Sequence, residues 1–201
     1  TPTRRQILLN GSQADYNTRF SMHRRLVAQL SQNMNFVVDL SVHEFITMHA
    51  HCRLTENIES TVQRVIDCAN DLTGEKFSPD CSITQLSGGQ TRALMIADTA
   101  LLGAAPIVLI DEIENAGVDR KRALDLLVSE DKIVFISTHD PLLALRGKQR
   151  IVIQNGGIAK ILPTSKEEKE NLKKLEEIES IMLKVRDDLR FGKRIFDLSS
   201  Q

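Results

Sequence analysis

"LSGGQTR", residues 86–92, places a serine and two glycines immediately before a helix-patterned run, ALMIADTALLG. Adjacent glycines at the start of a helix are costly, because glycine loses more backbone freedom on folding than any other residue. Either the pair only forms a turn, or it lets the backbone approach a group that a Cβ atom would block. The second interpretation has a chemical basis: a serine hydroxyl and unpaired N–H groups at a helix start favour an anion, as does the helix dipole.

Size and composition describe an ordinary soluble globular protein. The 201 residues suffice for one domain, or one domain with an appendage, and 41% are hydrophobic and 26% charged. A net charge of -1 gives no argument for a nucleic-acid partner, and no stretch has the length of a membrane-spanning helix. Cys52, Cys68 and Cys81 lack CxxC spacing. Their number and spacing favour free thiols in a reducing compartment, so we expect a cytoplasmic protein.

Two apolar runs predict neighbouring parallel strands. PIVLID (106–111) and KIVFIS (132–137) are continuous and β-branched, which is typical of strands buried on both faces. The intervening RKRALDLLVSE predicts a helix, and strand, helix and strand form a βαβ unit.

The remaining patterns place further elements around that unit. They predict short strands at 6–11 and 26–30, helical structure over 41–83 with a break at 72–74, a helix over 89–102 ended by Gly103, a hairpin over 150–162, and a charged amphipathic helix over 164–190.

Polar side chains follow both strands of the βαβ unit. Asp111 and Glu112 end the first strand, and Thr138 and His139 follow the second. Ligands bind outside the carboxyl ends of parallel strands, and adjacent carboxylates there suit a magnesium ion and a general base. The alternative is structural: the carboxylates cap the next segment and His139 packs.

In sequence order, these residues resemble the nucleotide-binding domains of ABC (ATP-binding cassette) ATPases. LSGGQ matches the signature motif letter for letter, PIVLIDE resembles the Walker B strand with its catalytic glutamate, and ISTHD resembles the H-loop. VAQLSQNMNFVVDLSVHEF is similar to the Q-loop and the start of the helical subdomain, with Gln32 favoured over Gln29 as the Q-loop glutamine. TPTRRQILLNG resembles the stretch shortly after the Walker A helix. The resemblance runs from about residue 1 to residue 162.

The resemblance implies a role for each residue. Asp111 would bind Mg²⁺ through water, Glu112 would be the general base and His139 would contact the γ-phosphate of ATP. Gln32 would sense the metal and the attacking water. The loop residues Ser87, Gly88, Gly89 and Gln90 would bind the nucleotide held by an opposite subunit, because family dimers sandwich ATP head to tail.

The sequence also departs from the family pattern. No GxxxxGK[ST] Walker A motif occurs in the 201 residues, and we expect it upstream of Thr1, with the chain a fragment that is inactive alone. After the catalytic glutamate the chain reads IENAGVD, one residue longer than the usual D-loop, which puts Asp119 at the aspartate position.

The expected fold is α/β: a P-loop NTPase-like core with a mostly parallel sheet, antiparallel β elements, an inserted helical subdomain and a C-terminal helical extension. The predicted segments are 1–40 (core and Q-loop), 41–89 (helical subdomain), 90–162 (core) and 163–201 (extension). Two alternatives stay open for the extension: packing on its own domain, or a coiled-coil or partner-docking element. We also expect the place of the missing Walker A strand to be filled, by another copy or by a rearranged segment.

The resemblance implies the nucleotide-binding subunit of an ABC transporter, which couples ATP hydrolysis to transport. Its partners would be a second nucleotide-binding domain and transmembrane subunits at the inner face of the cell membrane, with no nucleic acid. One alternative is a soluble mechanical ATPase of DNA-repair or chromosome type. Another is a non-catalytic module that acts in trans through LSGGQ.

Overall fold

The computed structural model describes residues 8–9, 11–13, 26–31, 36–113 and 117–195. The chain forms two compact units, Thr1–Ser137 and Thr138–Gln201. The four segments expected from the sequence stay a prediction. Gln32 lies outside the described residues.

The first unit begins with a short antiparallel hairpin and then forms a parallel sheet. Strands β1 (Leu8–Leu9) and β2 (Ser12–Gln13) pair around Gly11, whose φ is 80°. Strands β3 (Val27–Leu30), β4 (Ile107–Asp111) and β5 (Ile133–Ser137) are parallel, in the order β3-β4-β5. The predicted strands at 26–30, 106–111 and 132–137 are therefore confirmed.

Four helices accompany this sheet in the described part of the first unit. Their bounds are α1 (Val42–Cys52), α2 (Ile58–Leu72), α3 (Gly88–Leu101) and α4 (Arg120–Ser129). The helical stretch predicted over 41–83 is broken at residues 53–57 as well as after Leu72, and only a 3₁₀ turn, Ile83–Gln85, follows.

A capping box fixes the start of helix α1. Ser41 accepts a hydrogen bond from the Glu44 N–H, and the Glu44 carboxylate accepts one from the Ser41 N–H at 2.8 Å. The Ser41 hydroxyl also donates to this carboxylate at 2.8 Å, and the hydrogen bonds from the Ser41 N–H and hydroxyl hold the pKa of the Glu44 carboxyl below its ordinary value.

Helix α3 is the centre of the first unit. It packs against α2, α4 and β3, and most of its residues from Thr91 to Ala100 are buried. Together the apolar faces of α1, α2 and α3 form one core, which includes Val42, Ile46, Val62, Ile66 and Leu94, none more than 1% exposed. Burying each such side chain stabilises the fold by roughly 1.5–3 kcal/mol relative to leaving it exposed.

The sheet is not buried on both faces, and that prediction was wrong for the described residues. Leu30, Val108 and Ile110 are buried on one face, whereas Leu109 and Phe135, which are paired in register on the other, are 38% and 46% exposed. Strand β4 lies between β3 and β5, so both of its edges are paired. Among the described residues β5 pairs only with β4. The exposed face is nevertheless apolar, as is typical of strands that are covered on both faces.

The second unit contains a short helix, a hairpin and a long helix. Helix α5 (Pro141–Arg146) was not predicted; β6 (Gln149–Gln154) and β7 (Gly157–Pro163) form the predicted hairpin. Helix α6 (Lys166–Arg190) is tied to them by ion pairs from Arg146 to Glu176 and from Arg150 to Glu168. Its second half exposes Ile178, Met182 and Leu189, so packing on its own unit accounts for only part of its apolar stripe.

Taken together, the parallel sheet, the antiparallel hairpins, the helical insertion and the C-terminal helix confirm the expected fold class. Among the described residues, no helix combines the length and the apolar character needed to cross a membrane.

The exposed apolar face predicts association of the 201-residue chain. We expect Phe135→Ser to lower concentration-dependent self-association in sedimentation velocity, because it removes apolar area from a patch that water solvates poorly. Its free energy of unfolding at low concentration should change by less than about 1 kcal/mol. Val128→Ser, which replaces an apolar residue on α4 that is 62% exposed, is the control. Equal effects of the two substitutions, or no effect of either, would contradict the expectation.

Candidate functional site

The start of α3 is fixed by a capping box built from the signature residues. Ser87 is the N-cap residue, and its hydroxyl accepts from the Gln90 N–H at 3.3 Å. The Gln90 side-chain carbonyl accepts from the Ser87 N–H at 2.8 Å, and its amide donates to the Glu75 carbonyl at 3.1 Å. Ser87 and Gln90 therefore hold the first turn in place and join it to the segment after α2.

The surroundings of Gly88 within the chain leave room for a side chain at this position. A Cβ built at Gly88 meets no atom within 4 Å, and its φ is not positive. The N–H groups of Gly88 and Gly89 lie in the first turn, where no intrahelical carbonyl is available to them. Packing within the chain thus gives no reason for glycine at 88, whereas close approach of another group to the backbone gives one.

Gly103, at the other end of α3, shows the opposite situation. It follows the last turn as predicted, and its N–H donates to the Asp98 carbonyl at 3.0 Å. A Cβ there would lie 2.3 Å from the Thr99 carbonyl oxygen. Glycine at 103 is explained by the fold itself.

Asp111 and Glu112 lie at the carboxyl end of the central strand. Asp111 is the last residue of β4, is exposed, and pairs in register with Ser137 at the end of β5. Glu112 has a φ of 47°, in the left-handed region that is uncommon for residues other than glycine. Its N–H donates to the Ser137 carbonyl at 3.0 Å, and its carbonyl accepts from Arg92 at 2.8 Å. Both peptide groups beside the Glu112 Cα are therefore held.

Asp119 has a structural role in this chain. It is the N-cap of α4: its carboxylate accepts from the Arg122 N–H at 3.1 Å and lies 3.4 Å from the Arg122 Nε. Its own N–H donates to the Leu72 carbonyl at 2.8 Å, which ties the segment after Glu112 to the end of α2.

His139 lies in the second unit, two residues beyond the end of β5. Thr138 and Asp140 shape the turn around it: the Asp140 N–H donates to the Thr138 hydroxyl at 3.0 Å, and the Asp140 carboxylate caps α5 through Leu142 and Leu143. Gln29, the competitor of Gln32, is an exposed residue of β3 that pairs in register with Leu109.

The structure joins two predicted motifs through a residue that the sequence analysis missed. Arg92, at the end of LSGGQTR, links α3 to the residue that follows β4. The available signal was a charged residue on the apolar face of a helix, where Arg92 is only 6% exposed.

The chain is similar to known ATP-binding proteins of ABC transporters. Residues 1–115 match the family described as ABC transporter. An uncharacterised ABC transporter ATP-binding protein of Methanocaldococcus jannaschii is 49% identical over 195 residues, which are 97% of this chain and 74% of the relative. A cobalamin import ATP-binding protein, BtuD, of Halobacterium salinarum is 29% identical over 164 residues, which are 78% of this chain and 40% of that protein.

Solved structures share the fold. A dimeric ATP-binding cassette in a post-hydrolysis state with ADP and Pi has a TM-score of 0.60 at 20% identity, with 81% of this chain and 75% of that chain covered. An ATP-binding subunit of an ABC transporter has a TM-score of 0.62 at 19% identity, with 98% and 75% covered. The chain belongs to the ABC transporter family, and it is an ABC-type ATPase nucleotide-binding domain.

The two glycines at the ends of α3 generate opposite predictions. Gly103→Ala should lower the free energy of unfolding by about 1–3 kcal/mol, because the new methyl group overlaps the Thr99 carbonyl. Gly88→Ala should change it by less than about 1 kcal/mol but should slow ATP hydrolysis by the protein expressed from its complete gene. The loss should be about 100-fold, as when one preorganised N–H donor is removed. Denaturant unfolding and steady-state turnover measure the two effects; full activity of Gly88→Ala would mean that the glycine serves only the turn.

Proposed function

We propose that the protein is the nucleotide-binding subunit of an ABC transporter and couples ATP binding and hydrolysis to transport across a membrane. The observation that carries this proposal is the first turn of α3. It is capped by Ser87 and Gln90, no atom lies within 4 Å of the Gly88 Cβ position, and the N–H groups of a first turn have no intrahelical acceptor. Such a turn suits a phosphate group, since the helix dipole adds to the donated hydrogen bonds.

The phosphate bound at this turn would be the γ-phosphate of ATP held by a second nucleotide-binding domain, arranged head to tail. Ser87, Gly88 and Gly89 would contact it, and Gln90 would keep the turn in shape through its bonds to Ser87 and Glu75. No atom of the chain lies within 4 Å of the Gly88 Cβ position, so the space beside this turn is open to an approaching phosphate. ATP is the substrate, and the second domain is a partner without which the site is incomplete.

Glu112 would be the general base for the attacking water. Its backbone is held on both sides, which fixes the direction from which its side chain leaves the strand end. Asp111 offers an exposed carboxylate at the end of β4, an oxygen ligand of the kind that Mg²⁺ prefers, and would hold the ion through water. Bound Mg²⁺ would neutralise charge on the phosphates.

Three further residues complete the proposed site. His139 would contact the γ-phosphate of the nucleotide bound by its own chain. Gln32 would contact the metal and the attacking water and would couple them to the transmembrane partner. Asp119 would act across the dimer from the D-loop position, and its role as N-cap of α4 would hold that segment in place.

The partners proposed are transmembrane transporter subunits, which would hold the protein at the inner face of the membrane. The insertion between β3 and α3 supports a transporter over a mechanical ATPase of DNA-repair type. It is compact, because α1 and α2 share one core with α3. The relatives named above are ATP-binding proteins of transporters, and that of Halobacterium salinarum serves cobalamin import.

Replacing the proposed base separates ATP binding from hydrolysis. In the protein expressed from its complete gene, Glu112→Gln should slow hydrolysis by about 10²–10⁴-fold, the usual contribution of general-base catalysis. Binding of ATP should be retained, because glutamine keeps the shape and hydrogen bonding of the side chain. ATP should then accumulate in a stable dimer, measured by light scattering.

The control for this experiment is Glu130→Gln. Glu130 follows α4 and pairs with Arg64 at 2.7 Å, away from the strand end. This substitution also removes one carboxylate, and turnover should stay near that of the unsubstituted protein. Unchanged turnover in Glu112→Gln would assign its carboxylate a structural role only.

A further inference from the structure

We propose that Arg92 is a positioning residue for Glu112, and that through it the state of the signature turn in one nucleotide site is transmitted to the general base of the other. This inference rests on the proposed function and deepens it. It concerns a side chain that belongs to none of the family motifs identified in the sequence.

The hydrogen bond from Arg92 to Glu112 has a charged and buried donor. The Arg92 side chain lies in a helix that is buried along most of its length, and Arg92 is 6% exposed. A buried guanidinium is costly unless its N–H groups find acceptors, and hydrogen bonds from charged donors are stronger than neutral ones. One of these groups donates to the Glu112 carbonyl at 2.8 Å.

Glu112 is a residue whose conformation needs such support. Its φ of 47° is unfavourable for a residue that has a Cβ atom. Strained backbone conformations persist only where the surrounding structure enforces them. The N–H of Glu112 is held by the end of β5 through Ser137, and its carbonyl is held by α3 through Arg92. Loss of the hydrogen bond from Arg92 would remove one restraint on the peptide that follows Glu112, and with it one restraint on the direction of the Glu112 side chain.

Arg92 is also placed to move with the signature turn. It lies four residues after Gly88, so the two residues are one above the other on the same face of α3. The helix is capped by Ser87 and packed on α2, α4 and β3, so it transmits displacement as a rigid element. A phosphate that draws in the first turn would shift Arg92, and with it the Glu112 carbonyl.

In the proposed head-to-tail dimer, the contact between Arg92 and Glu112 would connect two ATP sites. The turn at Ser87 would contact ATP held by the opposite subunit, whereas Glu112 would act on ATP held by its own subunit. Arg92 therefore joins the two ATP sites within one chain. We expect positive cooperativity in hydrolysis to depend on Arg92, because occupancy of one site would orient the base of the other.

The experiment compares three substitutions in the protein expressed from its complete gene. Arg92→Met removes the donor, and Arg92→Lys keeps the charge and a donor. Lys132→Met is the matched control, because Lys132 donates to the Gly103 carbonyl at the opposite end of α3. ATP affinity, kcat, KM, the Hill coefficient for ATP and the melting temperature are measured for each.

The expected result is selective loss of turnover and cooperativity. Arg92→Met should lower kcat by about 10–100-fold, since a misplacement of about 1 Å costs about 100-fold. Its Hill coefficient should fall towards 1, while ATP affinity stays near that of the unsubstituted protein. Arg92→Lys should recover part of both kcat and cooperativity. Lys132→Met should leave both unchanged.

Other outcomes overturn the inference. Unchanged kcat and Hill coefficient in Arg92→Met would exclude a positioning role. A parallel fall of melting temperature, ATP affinity and kcat, with no recovery in Arg92→Lys, would make the residue structural only. If Arg92→Met does not fold, Arg92→Lys decides alone: it must fold and show a lowered Hill coefficient. Failure of the unsubstituted protein to hydrolyse ATP would instead refute the proposed function on which the inference rests.

Discussion

The burial of α3 is the constraint on which the rest of the first unit depends. This helix supplies Leu94 and Ala97 to the core that it shares with α1 and α2, and it also packs on the sheet and on α4. Its C-terminal end is tightly packed, because the Thr99 carbonyl leaves no room for a Cβ atom at Gly103. Its N-terminal end is capped but open at Gly88. A helix packed along most of its length thus presents one turn that is open to a ligand.

The same helix determines how the strand ends are arranged. Glu112 follows β4 in a backbone conformation that the chain alone would avoid, and it is held there by one bond from α3 and one to the end of β5. Helix, central strand and neighbouring strand therefore meet at a single residue. That residue is the proposed base, so in the proposed mechanism the contacts that stabilise the fold would also orient the base.

Much of this fold follows from the sequence, and the failures have physical causes. The strands of the parallel sheet and α3 were predicted nearly to the residue, because β-branched runs and capping residues are local signals. The roles proposed for Asp111 and Glu112 rest on their place at the end of a strand. Burial of both sheet faces was wrong, because periodicity reports that a face is apolar and not whether anything covers it. Arg92 was missed for a related reason: its partner is a backbone carbonyl 20 residues along the chain, and no sequence pattern records an acceptor that every residue carries.

The central claim is that the signature turn of one copy and the general base of another act on the same ATP. The most direct test mixes two variants of the protein expressed from its complete gene: Ser87→Arg, which blocks the turn, and Glu112→Gln, which removes the base. Each variant alone should hydrolyse ATP only slowly. The mixture should hydrolyse ATP faster than either, because a mixed dimer contains one site with an intact turn from one copy and an intact base from the other. A mixture that forms mixed dimers yet hydrolyses ATP no faster than either variant at any ratio would contradict the account.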